Sequence, residues 1–182
     1  MLTIGKLTEI AEHFNIEGDE YGVFIETGTY LGETVEELQP YFLSIHTIEV
    51  SEYYFNKYKN EHDNYQNVDI HLGDSSKEVP NILEKLTKDD KCIFWLDGHF
   101  SSGQTSKGEK DCPLIEECMA INEFYKPNKS LILIDDYSLF GTDHMHDWKD
   151  ITFDNILKCF SNFDVDIHER VGETLCLYIK RK

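Results

Sequence analysis

The stretch from Gly22 to Thr34, GVFIETGTYLGET, does most to restrict what this chain can become. An apolar run ends abruptly on Glu26, Gly28 follows two residues later, Gly32 four after that, and a helical pattern opens at once. A buried strand that stops, turns through glycines and feeds a helix N-terminus has this form, because glycine tolerates backbone angles and close approaches that other residues do not. The spacing is E-x-G-x-x-x-G, not the G-x-G-x-x-G that seats a pyrophosphate. A carboxylate at that place repels an anion and attracts a cation.

The same rhythm continues along the chain. Strand-like runs at Val23–Glu26, Ile45–Val50, Val68–Leu72, Cys92–Asp97, Leu131–Asp135, Val165–Glu169 and Leu175–Ile179 are separated by stretches of helical period. Helices are expected near Lys6–Phe14, Gly32–Gln39, Tyr53–Glu61, Val79–Leu86, Ile115–Tyr125 and Ile151–Cys159. Regular alternation implies an α/β fold with a largely parallel sheet covered on both faces. A tight turn at Val171-Gly172-Glu173 joins the last two strands and adds one antiparallel strand. No repeat, linker or change of composition divides the 182 residues, so the whole chain, 1–182, reads as one domain.

Charge and cysteine usage narrow the partners. A formal charge of -18 argues against nucleic acid or an anionic membrane surface, since both need a positive field. The five cysteines include no C-x-x-C pair, and Cys92 and Cys176 lie inside apolar runs, which suits buried thiols in a reduced, cytoplasmic protein. No signal peptide and no run of 18 apolar residues is visible.

The acidic residues at the strand ends are the chemical content. In an open α/β sheet, ligands bind outside the carboxyl ends of the strands. Glu49 closes the second strand, where a carboxylate can accept both hydrogen bonds of a ribose diol. Asp74 and Ser75 follow the third strand, where they could meet an exocyclic amine or cap the next helix. The fourth strand ends in Leu96-Asp97-Gly98-His99 and the fifth in Ile134-Asp135-Asp136-Tyr137. Three carboxylates gathered at neighbouring strand ends repel one another, and a hard divalent cation relieves this, Mg²⁺ best of all. Long polar loops leave the same ends, at 98–111 and 136–150.

Taken together, E-x-G-x-x-x-G, Glu49, LDGH and IDDY resemble the class I S-adenosylmethionine-dependent methyltransferases. They look most like the macrocin-type metal-dependent sugar O-methyltransferases, with catechol O-methyltransferases more distantly similar. The resemblance covers nearly the whole chain and implies a Rossmann-like sheet of order 3-2-1-4-5-7-6. It implies S-adenosyl-L-methionine as cofactor, with the amino group near Glu26 and Gly28, and with Thr27, Thr29, Gly32, Glu49, Val50, Asp74, Ser75 and Asp97 around it. It assigns Asp97, Asp135 and Asp136 to the divalent cation. Two places after the first aspartate that group carries an acid, proposed as general base; here His99 stands there, and a neutral imidazole suits the task near pH 7.

The implied reaction is methylation of a hydroxyl on a small acceptor, such as a sugar or glycan precursor. The cation would hold the hydroxyl and His99 would remove its proton. Lys107, Lys110, Tyr137 and His144 are candidates for acceptor binding, and His146 and Trp148 belong to the same second loop. The macrocin-type proteins carry extra N-terminal elements, so here either the pocket is open or a second subunit of a homo-oligomer completes it. Two other readings stand beside this one: a cofactor-binding accessory subunit without catalysis, and a metal-dependent hydrolase.

Overall fold

The computed structural model describes residues 1–16, 21–61, 64–99, 110–143 and 147–182. Seven strands form one sheet: β1 (Val23–Thr27), β2 (Ser44–Glu49), β3 (Val68–Leu72), β4 (Cys92–Leu96), β5 (Lys129–Ile134), β6 (Phe163–Val171) and β7 (Thr174–Arg181). Their spatial order is β3-β2-β1-β4-β5-β7-β6. The first five are parallel to one another, and β7 runs antiparallel to both β5 and β6. This is the expected topology, including the closing hairpin.

Among the described residues six α-helices cover the sheet: α1 (Ile4–His13), α2 (Glu33–Leu38), α3 (Glu52–Glu61), α4 (Ser75–Lys85), α5 (Leu114–Phe124) and α6 (Phe153–Cys159). Leu7, Ile10, Val35, Leu38 and Tyr58 of α1 to α3 join one core with Phe24 and Trp95. Val79, Ile121 and Ile156 of α4 to α6 join the other with Ile25 and Phe94. Successive β1 residues thus go to opposite cores, as the period of two demands, and every residue of β1 and β4 is buried. The edge strand β3 is mostly half-buried or exposed.

Helix starts differ from the periodicity reading where a polar side chain caps earlier or later than the apolar pattern begins. α4 opens four residues before Val79, because Asp74 Oδ1 accepts from the Ser76 amide at 3.0 Å. α6 opens at Phe153, two residues after Ile151, because the Thr152 hydroxyl accepts from the Asn155 amide at 3.2 Å. All five cysteines are free thiols. Among the described residues no helix is long and apolar enough to cross a membrane.

Candidate active site at the carboxyl rim

The register aligns the strand ends. Thr27 pairs with Ile48 on one side and Leu96 on the other, and Leu96 pairs with Ile134. Glu26, Glu49, Asp97, Asp135 and Asp136 therefore emerge at one edge of the sheet.

On the β1–β2 side, Glu26 is buried and its Oε2 accepts from the Thr47 hydroxyl at 2.7 Å. Thr47 has one proton to give, so the 2.6 Å contact between the Thr29 and Thr47 hydroxyls runs from Thr29. Burial pushes the Glu26 carboxyl up to about 8, and the Thr47 bond offsets only part of this. Gly28 takes φ +86° while its amide donates to the Ile48 carbonyl, and a Cβ there would lie 2.5 Å from the Asp97 carbonyl oxygen. Gly32, the residue before α2, takes φ +77°, and its Cβ would strike the Tyr58 ring at 2.1 Å. Both glycines of the motif are sterically required.

Glu49 ends β2 with both oxygens engaged: Oε1 accepts from the Ser51 amide at 2.7 Å and Oε2 from the Tyr30 amide at 2.8 Å. Burial raises its pKa, with the backbone bonds opposing. The bond to Tyr30 holds that residue at φ +47°, a left-handed conformation unusual for an aromatic residue. Val50 follows directly and is half-buried.

Three candidates of this side turn elsewhere. Asp74 is the cap of α4, as one of its two sequence readings allowed, and its Oδ1 also accepts from the Ser76 hydroxyl at 2.6 Å. Thr27 and Ser75 are buried behind the rim, near the Glu117 carboxyl of α5, whose Oε1 is buried with no hydrogen-bond partner among the described residues. Thr27 Oγ1 accepts from the Asp97 amide at 3.1 Å. Glu117 is buried, and that burial pushes its carboxyl up to about 7. Sequence reasoning did not single it out, since one acid in a helix carries no local signal.

On the β4–β5 side, His99 lies between two carboxylates. Its Nε2 is 3.0 Å from Asp136 Oδ2 and its Nδ1 is 3.5 Å from Asp97 Oδ1. Burial works to lower the imidazole pKa, but the Asp136 hydrogen bond and the surrounding carboxylates outweigh it, so the net direction is upward. Asp136 is correspondingly lowered, chiefly by that hydrogen bond. Asp97 is pushed up to about 7, first by burial, then by Asp135, with His99 opposing. Donor atoms of Asp97, His99 and Asp136 all lie within 4.8 Å of one another. Asp135, expected in this set, instead accepts from the Thr174 hydroxyl at 3.4 Å. That hydroxyl accepts from Lys6 Nζ at 2.5 Å, and Lys6 lies 5.4 Å from the Trp95 ring centre. Lys6 and Thr174, 168 residues apart, are further rim residues that no sequence spacing reveals.

Of the acceptor-side candidates, Trp148 is buried with its ring 5.3 Å from that of His99. Tyr137 is half-buried, its ring centre 5.0 Å from that of Phe140, and Lys110 pairs with Glu116. Lys107, His144 and His146 lie outside the described residues.

No family model matches the sequence, and no curated protein matches it. Solved structures do. A Streptococcus mutans protein assigned as a methyltransferase, in complex with SAH, superposes with a TM-score of 0.60 at 16% identity, over 100% of this chain and 99% of that one. The fold is that of the class I methyltransferases. An rRNA methylase from Streptococcus thermophilus gives 0.55 at 11% identity over 89% and 87% of the two chains. A fibrillarin/Nop5p complex gives 0.60 at 18% over 98% and 83%. At such identities the likeness is one of methyltransferase architecture.

Proposed function

We propose that this chain is an S-adenosylmethionine-dependent O-methyltransferase of a small hydroxylated acceptor. The carrying observation is that Glu26 and Glu49 share one rim with the Asp97–His99–Asp136 cluster. The donor set suits the cofactor. An ammonium beside Glu26 would restore the charge that burial suppresses. Glu49 uses two of about four lone-pair sites on backbone amides, which leaves room for a ribose diol. The cofactor, when bound, supplies an electrophilic methyl group on a sulfonium.

The chain's own residues do the rest. The bond from Nε2 to Asp136 fixes the His99 ring, and Trp148 packs against it. Nδ1 then takes the proton of the acceptor hydroxyl, and Asp136 and Asp97 stabilise the imidazolium that forms. Holding this base beside the methyl donor supplies much of the acceleration through positioning. Asp97, His99 and Asp136 could alternatively hold a divalent cation, Mg²⁺ foremost, as their mutual separations favour. It would polarise the hydroxyl, and His99 would then be a ligand instead of the base.

Several methyltransferases of this fold act on rRNA, but 35 acidic against 17 basic residues give this chain no field for a polyanion. A neutral acceptor of the sugar type fits better. The test is methyl transfer from labelled S-adenosylmethionine to a panel of hydroxylated compounds and to RNA, with and without chelator. His99→Asn should lower kcat by about 10²- to 10⁴-fold while SAH binding persists. Activity lost on chelation selects the cation-assisted form. Methylation of RNA alone, or full activity in His99→Asn, refutes the proposal.

A further inference from the structure

A second cluster of ligating side chains lies away from the rim, on the α4 face of the sheet edge. His46 of β2 and Asp69 of β3 are register partners, and His71 stands two residues further along β3, so all three project from one face. His46 Nδ1 is 3.2 Å from His71 Nε2 and 3.7 Å from Asp69 Oδ2. Two neutral imidazoles cannot aim lone pairs at each other across that distance. Either a proton or a cation must sit between them.

We infer that His46 and His71, with the exposed Asp69 carboxylate, form a site for a borderline transition-metal ion of the Zn²⁺ type, independent of the reaction proposed above. Two nitrogens bound to one tetrahedral zinc at about 2.0–2.1 Å stand about 3.3 Å apart, close to the separation here. The donor chemistry, two imidazoles and a carboxylate, suits Zn²⁺ and not Mg²⁺. Ser44 Oγ lies 3.4 Å from His46 Nε2, the outer bond that fixes a ligating ring. Lys85 of α4 opposes a cation, and Asp69 and Glu78 answer that charge. Asp69 is 70% exposed, so its carboxylate is able to swing onto the ion. Such an ion would tie the edge strand β3, which leads directly into the Asp74 cap, to β2.

The test uses the full chain carrying Asp97→Asn and Asp136→Asn, so that the rim cluster contributes nothing. Zn²⁺ calorimetry should find one ion per chain, and Co²⁺ should give the intense visible bands of a four-coordinate site. Adding His71→Gln or His46→Gln should weaken Zn²⁺ binding by roughly 100-fold, since losing even an outer-shell partner costs about 10–100-fold. Asp69→Asn, exposed and harmless to folding, should weaken it by about 10-fold. Circular dichroism verifies that each variant is folded. The proposal is overturned if the folded double variant binds no Zn²⁺, or if binding is indifferent to His71→Gln and Asp69→Asn, which would move the ion to the cysteines.

Discussion

Glu26 offers the sharpest test of the donor side, because the cofactor should control its charge. Burial holds this carboxyl at about 8 where its ordinary value is 4.5, so the folded chain binds a proton that the unfolded chain has released. The group is 2% exposed, so solvent screening does not dilute the effect. Its contribution to stability is complete below pH 4.5 and declines as pH rises toward 8. At about 1.36 kcal/mol per pH unit, about 3 kcal/mol is lost by pH 7 and about 5 kcal/mol above pH 8. Glu26→Gln keeps the shape and cannot ionise, so its urea stability should gain on the wild type by about 3 kcal/mol between pH 4.5 and pH 7.

Binding then reads the same group from the other side. At pH 7 a carboxyl with a pKa of about 8 is roughly 90% protonated, and an ammonium placed beside it drives ionisation. SAH binding should therefore release about 0.9 proton per site more in the wild type than in Glu26→Gln. Calorimetry in two buffers of different ionisation enthalpy measures that number. Glu117 also titrates near neutrality but is common to both proteins and cancels in the difference; Asp97 interacts with the Glu26 charge, so both proteins are compared in an Asp97→Asn background. Equal proton release from the two proteins would mean that no ammonium meets Glu26, and the donor-site reading would fall with it.

Two further substitutions probe the scaffold of the rim. Gly28→Ala places a methyl 2.5 Å from a backbone carbonyl at φ +86°, and backbone strain with overpacking should cost about 2–4 kcal/mol in urea unfolding; a loss under about 1 kcal/mol would show that β1 and β4 do not approach as closely as described. Glu117 is held at about 7 by burial against an ordinary 4.5, so its contribution to stability, complete below pH 4.5, should fall by about 3 kcal/mol by pH 7 relative to Glu117→Gln in urea unfolding; a difference between the two proteins that does not change with pH would show that this carboxyl is not buried as described.

The sheet was legible because β1, β4 and β5 are nearly continuous apolar runs, which only a parallel strand covered on both faces demands. The glycine motif was legible because both glycines take a positive φ, a local demand of the turn, although the groups a side chain would strike, the Asp97 carbonyl and the Tyr58 ring, are supplied by distant parts of the chain. Contacts that close over long separations were not. Lys6 meets Thr174 across 168 residues of sequence, and Glu117 lies near Thr27 and Ser75 on a helix whose other buried positions are apolar. No periodicity marks such residues, because their neighbours are chosen by topology. His46 and His71 were hidden in the same way, each one polar residue among others in its strand until the register set them together.

The paired aspartates after β5 show where a motif stops being informative. Consecutive residues leaving a strand point to opposite sides, so Asp135 and Asp136 cannot both face one ion without a change of backbone direction. That change is present: Asp136 takes φ +54°, in the left-handed region, and its carboxylate meets His99 while Asp135 stays with Thr174. Tyr30 shows the same device on the donor side, at φ +47° and tied to Glu49. Two of the three non-glycine left-handed residues among those described therefore flank the rim. Strained conformations persist where the surroundings over-determine them, and here each is held by a carboxylate at or just beyond a strand end. The rim is thus pre-shaped by hydrogen bonds that already exist within the protein, with Glu49 and His99 fixed in place by the same bonds that hold the two left-handed residues.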